Sequence, residues 1–142
     1  MPCTNILAGK TAIITGGTTG IGRAIALGFL RQGCDVAVNH LGLDKDRPHL
    51  ESLISEAAAL LQTSAASGDK VGRLTHLPGD VRDPSTGTKL VAHALSTFSA
   101  SRLDICVSNA GICTFSSFLD LDTNLFTDTV RTNLDGAFYV VQ

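Results

Sequence analysis

The sequence predicts an α/β fold, a doubly wound parallel sheet with helices on both faces. Short apolar, β-branched runs alternate with helical stripes four times, in the order β-α-β-α-β-α-β-α. Such alternation specifies parallel strands joined by right-handed crossovers. The first strand runs directly into Gly16, Gly17, Gly20 and Gly22 before a helical pattern opens. Each strand also ends in polar or glycine-bearing residues, and an open parallel sheet has its binding crevice at those carboxyl ends.

Thr11–Thr15 (TAIIT) has the strand propensity of the first element. Glycines at the exit let the backbone turn tightly and approach an anion, and the helix start offers unpaired N–H groups to the same charge. The spacing Gly16-xxx-Gly20-x-Gly22 departs from the usual dinucleotide fingerprint, so an ordinary glycine-rich turn is the plain alternative. Ile21, Ala24, Ile25, Gly28 and Phe29 give the first helix its expected apolar stripe, and Gly33 ends it. Asp35–Asn39 reads as the second strand, His40–Arg47 as a polar stretch, and its charges Asp44, Lys45, Asp46 and Arg47 as a solvated loop. Pro48 suits the first turn of a helix with stripe Leu50, Leu53, Ile54, Ala57 and Leu61. Gln62–Gly72 reads as a small, polar connector. Arg73–Pro78 is the third strand, which its proline confines to an edge or to its own end. Pro84 opens a helix with Leu90, Val91, Ala94, Leu95 and Phe98 on one face, and Leu103–Ser108 is the fourth strand. Asp122 is placed to cap a last helix whose stripe is Phe126, Val130, Leu134, Ala137, Phe138 and Val141.

The 142 residues suffice for one domain, residues 1–142. A net charge of −2 without a like-charge block gives no reason to expect nucleic acid or an anionic membrane as partner. The start MPCTNILAGK lacks a basic region followed by an apolar core, and no apolar run approaches the roughly 20 residues of a membrane helix. A cytoplasmic protein is therefore expected. Cys3, Cys34, Cys106 and Cys113 follow no ligand or disulfide spacing, and two of them on or beside apolar strands suit buried free thiols. His40, His49, His76 and His93 likewise suggest no metal site.

Taken together, four segments resemble the short-chain dehydrogenase/reductase family. Thr15-Gly16-Gly17-Thr18-Thr19-Gly20-Ile21-Gly22 matches its TGxxxGIG cofactor loop, and Gly79-Asp80-Val81 its adenine-contacting element. Ser108-Asn109-Ala110-Gly111 is a one-letter variant of its NNAG motif, and Asn133 matches the asparagine of its catalytic tetrad. The resemblance covers nearly the whole chain but only the family's amino-terminal half. It implies a Rossmann-type sheet of order 3-2-1-4, four strands of the family's seven. Gly16, Thr18, Thr19, Gly20, Ile21 and Gly22 would meet the pyrophosphate. Asp80 and Val81 would meet the adenine, and Asn109, Ala110 and Gly111 the ribose and nicotinamide side. Asn133 would hold the backbone and water of a proton relay. Plainer roles exist: a helix-capping acid for Asp80, a tight strand exit for Ser108–Gly111, a helix-face polar residue for Asn133. Asn39 and His40 end the second strand without an acid that would repel a 2′-phosphate, so NADP is favoured over NAD, with dual use open.

Within the family, Val38–Leu41, Val107–Cys113 and Asn133–Phe138 look most like the fungal L-rhamnose 1-dehydrogenases. This implies hydride transfer between NAD(P) and a secondary alcohol, with a sugar as small-molecule substrate; a 3-oxoacyl-type reductase shares much of the pattern. The family's serine, tyrosine and lysine are missing. Tyr139 is the sole tyrosine, six residues after Asn133 and followed by no lysine. The chain is thus expected to be the front part of a longer enzyme, or else a cofactor-binding or interaction module without turnover. The family commonly pairs subunits through the helix that begins near Asp122, which implies a homo-oligomer for the full-length domain.

Overall fold

Four strands, β1 (Thr11–Ile14), β2 (Asp35–His40), β3 (Leu74–Pro78) and β4 (Ile105–Val107), pair in parallel in the order β3-β2-β1-β4. The computed structural model describes residues 5–67 and 69–142, with side chains omitted for 64–67. Cys3, and Gly68 of the expected connector, lie outside the described residues. Register sets Ile13 beside Ala37 and Cys106, and Val38 beside His76. Because side chains alternate across a strand, the sheet feeds two cores. Ala12, Ile14, Val36 and Val38 pack with Leu27 and Leu30 of α1 (Gly20–Arg31) and Leu53 and Ala57 of α2 (Arg47–Ser67). Ile13 and Ala37 face the other way, onto Leu90, Ala94 and Phe98 of α3 (Ser85–Phe98). The sheet is doubly wound, as the alternation predicts.

Several details differ from expectation. In α1 the buried residues are Gly22, Ala26, Leu27 and Leu30, whereas Ile21 is 74% exposed. The rotation of α1 follows from Gly22, which must face the loop that precedes it, and this outweighs the stripe begun at Ile21. Helix α2 continues through the expected connector as far as Ser67, in keeping with the helix preference of Ala65 and Ala66. Its Ile54 and Leu61 stay exposed. Cys34 is buried, and burial, followed by the negative charges of Asp35 and Asp104, pushes its thiol up to about 12. Cys106 is exposed rather than buried, because β4 is an edge strand of the sheet with no strand beyond it.

The last helix is not continuous. Asp122 caps α4 (Thr123–Val130), accepting the Asn124 N–H at 3.0 Å. A π-helical turn, Arg131–Asp135, comes next, closed by the Gly136 N–H on the Arg131 carbonyl, and then α5 (Gly136–Val141). The extra residue in that turn rotates α5 by about 100° relative to an unbroken helix. As a result α5 buries Gly136 and Val140, and Leu134, Phe138 and Val141 face outward. The seat of α5 is tight: a Cβ on Gly87 would lie 3.0 Å from both the Tyr139 carbonyl and the Val140 Cα. Among the described residues no helix is long and apolar enough to cross a membrane.

Gly87→Val should therefore destabilise the chain by about 1–3 kcal/mol through overpacking, read as a lower urea midpoint at unchanged slope. An unaltered midpoint would mean that α5 does not rest on α3.

Candidate functional site

The loop after β1 is shaped from both sides. Gly16 has φ +61, a left-handed conformation that residues with a Cβ rarely adopt. A Cβ on Gly22 would strike the Gly16 carbonyl and come within 2.5 Å of Asn109 Nδ2. Thr15, 1% exposed, ties this loop to the one after β4. Its hydroxyl oxygen accepts the N–H groups of Asn109 and Ala110, each at 3.0 Å. In return Asn109 Nδ2 donates to the Thr15 carbonyl at 3.0 Å and the Gly16 carbonyl at 3.1 Å. Beyond the loop, Thr19 stands at the N-cap of α1 without a side-chain capping bond, and no acid occupies the first turn. The opening N–H groups of α1 thus have no side-chain acceptor, and the positive end of its dipole faces the crevice.

A cleft of about 290 Å³ opens there. Gly16, Thr18 and Thr19 line one side, and Asn39, His40, Leu41 and Asp46 another. Gly79, Asp80, Val81 and Arg82 follow β3; Ala110, Gly111 and Ile112 follow β4; Asp128 lies on α4 and Thr132 in the π-helical turn. The ends of all four strands therefore reach one crevice. Of the sequence-derived candidates, Gly16, Thr18, Thr19, Asn39, His40, Asp80, Val81, Ala110 and Gly111 line it. Gly20 and Ile21 begin α1 beside it, and Gly22 and Asn109 support the loop from behind. Asn133 is engaged with the main chain of Ile112, its Oδ1 accepting the N–H and its Nδ2 donating to the carbonyl, both at 2.8 Å. Tyr139 packs edge-to-face on Phe138 at 5.9 Å and is not part of the cleft lining.

Charges in the cleft are mutually engaged. Arg82 reaches the Asp80 carboxylate with Nε and a terminal nitrogen, the shortest contact being 2.6 Å, and reaches Asp128 at 3.2 Å. The Arg82 side chain, ahead of the opposing effect of burial, holds the Asp80 carboxyl below its ordinary value of 3.8. Asn39, 3% exposed, donates to the Gly79 carbonyl at 2.8 Å, so its amide joins the ends of β2 and β3. Asp46, read in the sequence as part of a solvated loop, sits in the cleft wall. Sequence reasoning also missed Arg82, Asp128, Thr132 and the Thr15 hydroxyl. The Asp80–Arg82 turn was open to view, since the Arg82 N–H also bonds the Asp80 side chain two residues back at 2.9 Å. Asp128, from a distant helix, left no local signal. Among the described residues no three His, Cys, Asp or Glu side chains cluster to hold a metal ion.

Residues 10–142 match the family model described as short chain dehydrogenase. The chain belongs to the short-chain dehydrogenase family. Similar members include the L-rhamnose 1-dehydrogenase (NAD(P)(+)) of Azotobacter vinelandii, 43% identical over 96% of this chain and 49% of that protein. The protein of the same name from a Sphingomonas species is 41% identical over 96% of this chain and 48% of its own length. The chain thus spans about half the length of the curated relatives it matches. A short-chain type dehydrogenase/reductase from Mycobacterium marinum superposes with a TM-score of 0.77 at 29% identity, covering 96% of this chain and 47% of that one. In this family member the sheet order and the convergence of four strand ends follow the resemblance seen in the sequence.

Asn109→Ala leaves two carbonyls without their donor and should cost about 1–3 kcal/mol. Faster amide hydrogen exchange at Gly16 and Gly17 checks where the cost falls; uniform change across the sheet would contradict the bracing role. Asp80 supplies a pH test. Its folded value is depressed, so its contribution is present above the unfolded value and is lost as pH falls through the folded one. The stability gap between wild type and Asp80→Asn should be full above about pH 4 and close at lower pH in acid-unfolding curves.

Proposed function

We propose that the chain forms the nucleotide-binding part of an NAD(P)-dependent oxidoreductase that moves hydride between a nicotinamide and a secondary alcohol or carbonyl of a small sugar. The observation that carries the reading is the union of the Gly16–Gly22 turn, the unengaged start of α1 and the ends of β2, β3 and β4 in one cleft. The residues fit the cofactor. The glycine turn is a cradle that a Cβ at Gly22 would fill, beside N–H donors suited to a diphosphate. Gly16, Thr18 and Thr19 would hold the diphosphate, Asn39, His40 and Asp46 would surround the adenosine ribose, and Asp80 and Val81 would border the adenine. Ala110, Gly111 and Ile112 would border the nicotinamide half, positioned through the grip of Asn133 on Ile112. When bound, the nicotinamide supplies the hydride acceptor or donor. The sugar class is supported by the names of the two rhamnose dehydrogenase relatives. The lean towards NADP gives way to dual use, because Asp46 brings to the ribose wall a carboxylate that the end of β2 itself lacks.

A second reading has its own observation. The sole tyrosine packs on Phe138 with no lysine following it, so these 142 residues have no phenol positioned as a proton donor or acceptor. They would then bind dinucleotide without turnover.

Calorimetry with NAD, NADP and ADP-ribose tests the binding claim. All three should bind, and Gly22→Val should weaken each at least about tenfold, or 1.4 kcal/mol. Absence of binding by the wild-type chain would remove the proposal. Nicotinamide absorbance with L-rhamnose should stay constant for these residues alone; a steady change would refute the second reading.

A further inference from the structure

Two histidines that the sequence separates by 36 positions meet where β2 ends, His40 lining the cleft and His76 behind it. His40 closes β2 at 8% exposure, and His76 lies two places before the end of β3. Their ring centroids are 5.3 Å apart, with His40 Nε2 at 3.1 Å from His76 Nδ1. The other nitrogen of His40, Nδ1, receives the main-chain N–H of Gly42 at 3.0 Å. An amide N–H donates and does not accept, so Nδ1 carries no proton and the neutral ring bears its hydrogen on Nε2. That hydrogen must point at His76 Nδ1, which accepts it. His76 in turn keeps its own proton on Nε2.

Both nitrogens of His40 are therefore committed in the neutral form. A proton added at His40 Nδ1 would face the Gly42 N–H, and one added at His76 Nδ1 would face the His40 N–H. Either addition breaks a hydrogen bond. The surroundings act in the same sense. Burial is the main cause that lowers both rings, reinforced at His40 by His76 and at His76 by His93 of α3. Asp46, from the turn Asp44–Asp46, is the opposing charge at His40. On the α2 side His76 shares a groove with Ile54, Ala57, Ala58 and Leu61, none of them titratable. Asp80, Arg82 and Asp128 complete the charges of the cleft that His40 lines, and they are already paired with one another.

We propose that His76 is a specificity-determining positioning residue: by accepting the Nε2 proton of His40, it keeps the β2 end uncharged and its N–H occupied, so that the cleft takes nucleotides with and without a 2′-phosphate alike. The inference rests on the nucleotide reading above. His40 lines the ribose wall, where a free or charged imidazole would otherwise bind a phosphate.

Imidazole nitrogen NMR of the wild-type chain and binding of ADP-ribose and 2′-phospho-ADP-ribose test it together. The wild type should show His40 protonated on Nε2 and bare on Nδ1, and a preference for the 2′-phosphate form that does not rise as pH falls through the ordinary histidine value of 6.5. In His76→Leu the His40 ring should titrate closer to that value, and the 2′-phosphate form should gain about tenfold at the acid end, the worth of one charge-assisted hydrogen bond. His76→Asn, which retains an acceptor, should restore the wild-type pH profile of the ratio. A His40 proton on Nδ1, a wild-type ratio that climbs as pH falls, or a His76→Leu variant indistinguishable from wild type would each overturn the proposal. If neither nucleotide binds, the nucleotide reading fails and the selectivity role fails with it. Binding with a wrong ratio removes this inference alone.

Discussion

Four hydrogen bonds between Thr15–Gly16 and Asn109–Ala110, at 3.0–3.1 Å, hold the ends of β1 and β4 in one relation. The chain leaves β1 towards β2 on one side and pairs with β4 on the other, so these two ends are where the sheet reverses its order. A reversal separates two loops and opens a crevice between them. Without a tie, that gap would have no defined width. Thr15 supplies it from a buried hydroxyl and Asn109 from an amide that serves two carbonyls. The position of Gly16, the direction in which α1 departs and the placement of Ala110 and Gly111 are all consequences.

Much of this was legible in the amino-acid sequence, for a physical reason. Strand and helix periodicities are local, and so is the need for glycine where backbone turns against backbone. The order of elements, the glycine turn and the cap at Asp122 were therefore visible residue by residue. What could not be seen depends on contact between distant segments. Ile21 looked apolar enough to be buried, yet the close approach of Gly22 to the loop turned it outward. Asn39 and Asn109 looked like ligand contacts, whereas the bonds their amides make are to the main chain at the ends of neighbouring strands. Asp46 looked like one charge of a solvated loop, and only the fold brings it to the cleft wall. The meeting of His40 and His76 follows from the register of β2 with β3, which no spacing in the chain encodes.

The helix from Asp122 onward shows the same division between local and distant causes. Its cap and its start agree with the sequence, but its apolar stripe was read on a uniform 3.6-residue period. The π-helical turn breaks that period at the residues that include Asn133. Its wider winding coincides with the two bonds that Asn133 makes to Ile112, and a π turn at such a place often accompanies a functional residue. The turn also brings Gly136 against Val81, where a Cβ would come within 2.8 Å, so the helix that grips one cleft loop rests on another.

That turn divides two duties along a single rod. A residue removed between Arg131 and Asp135 would restore ordinary winding and leave Gly136 and Val140 on the side they already occupy, because one surplus residue is what the wide turn absorbs. The packing on α3 would survive such a loss, while the hold on Ile112 would go if the residue removed were Asn133. The helix is thus tolerant of shortening as a piece of architecture and intolerant of it as a piece of the cleft, and the surplus residue marks the border between the two.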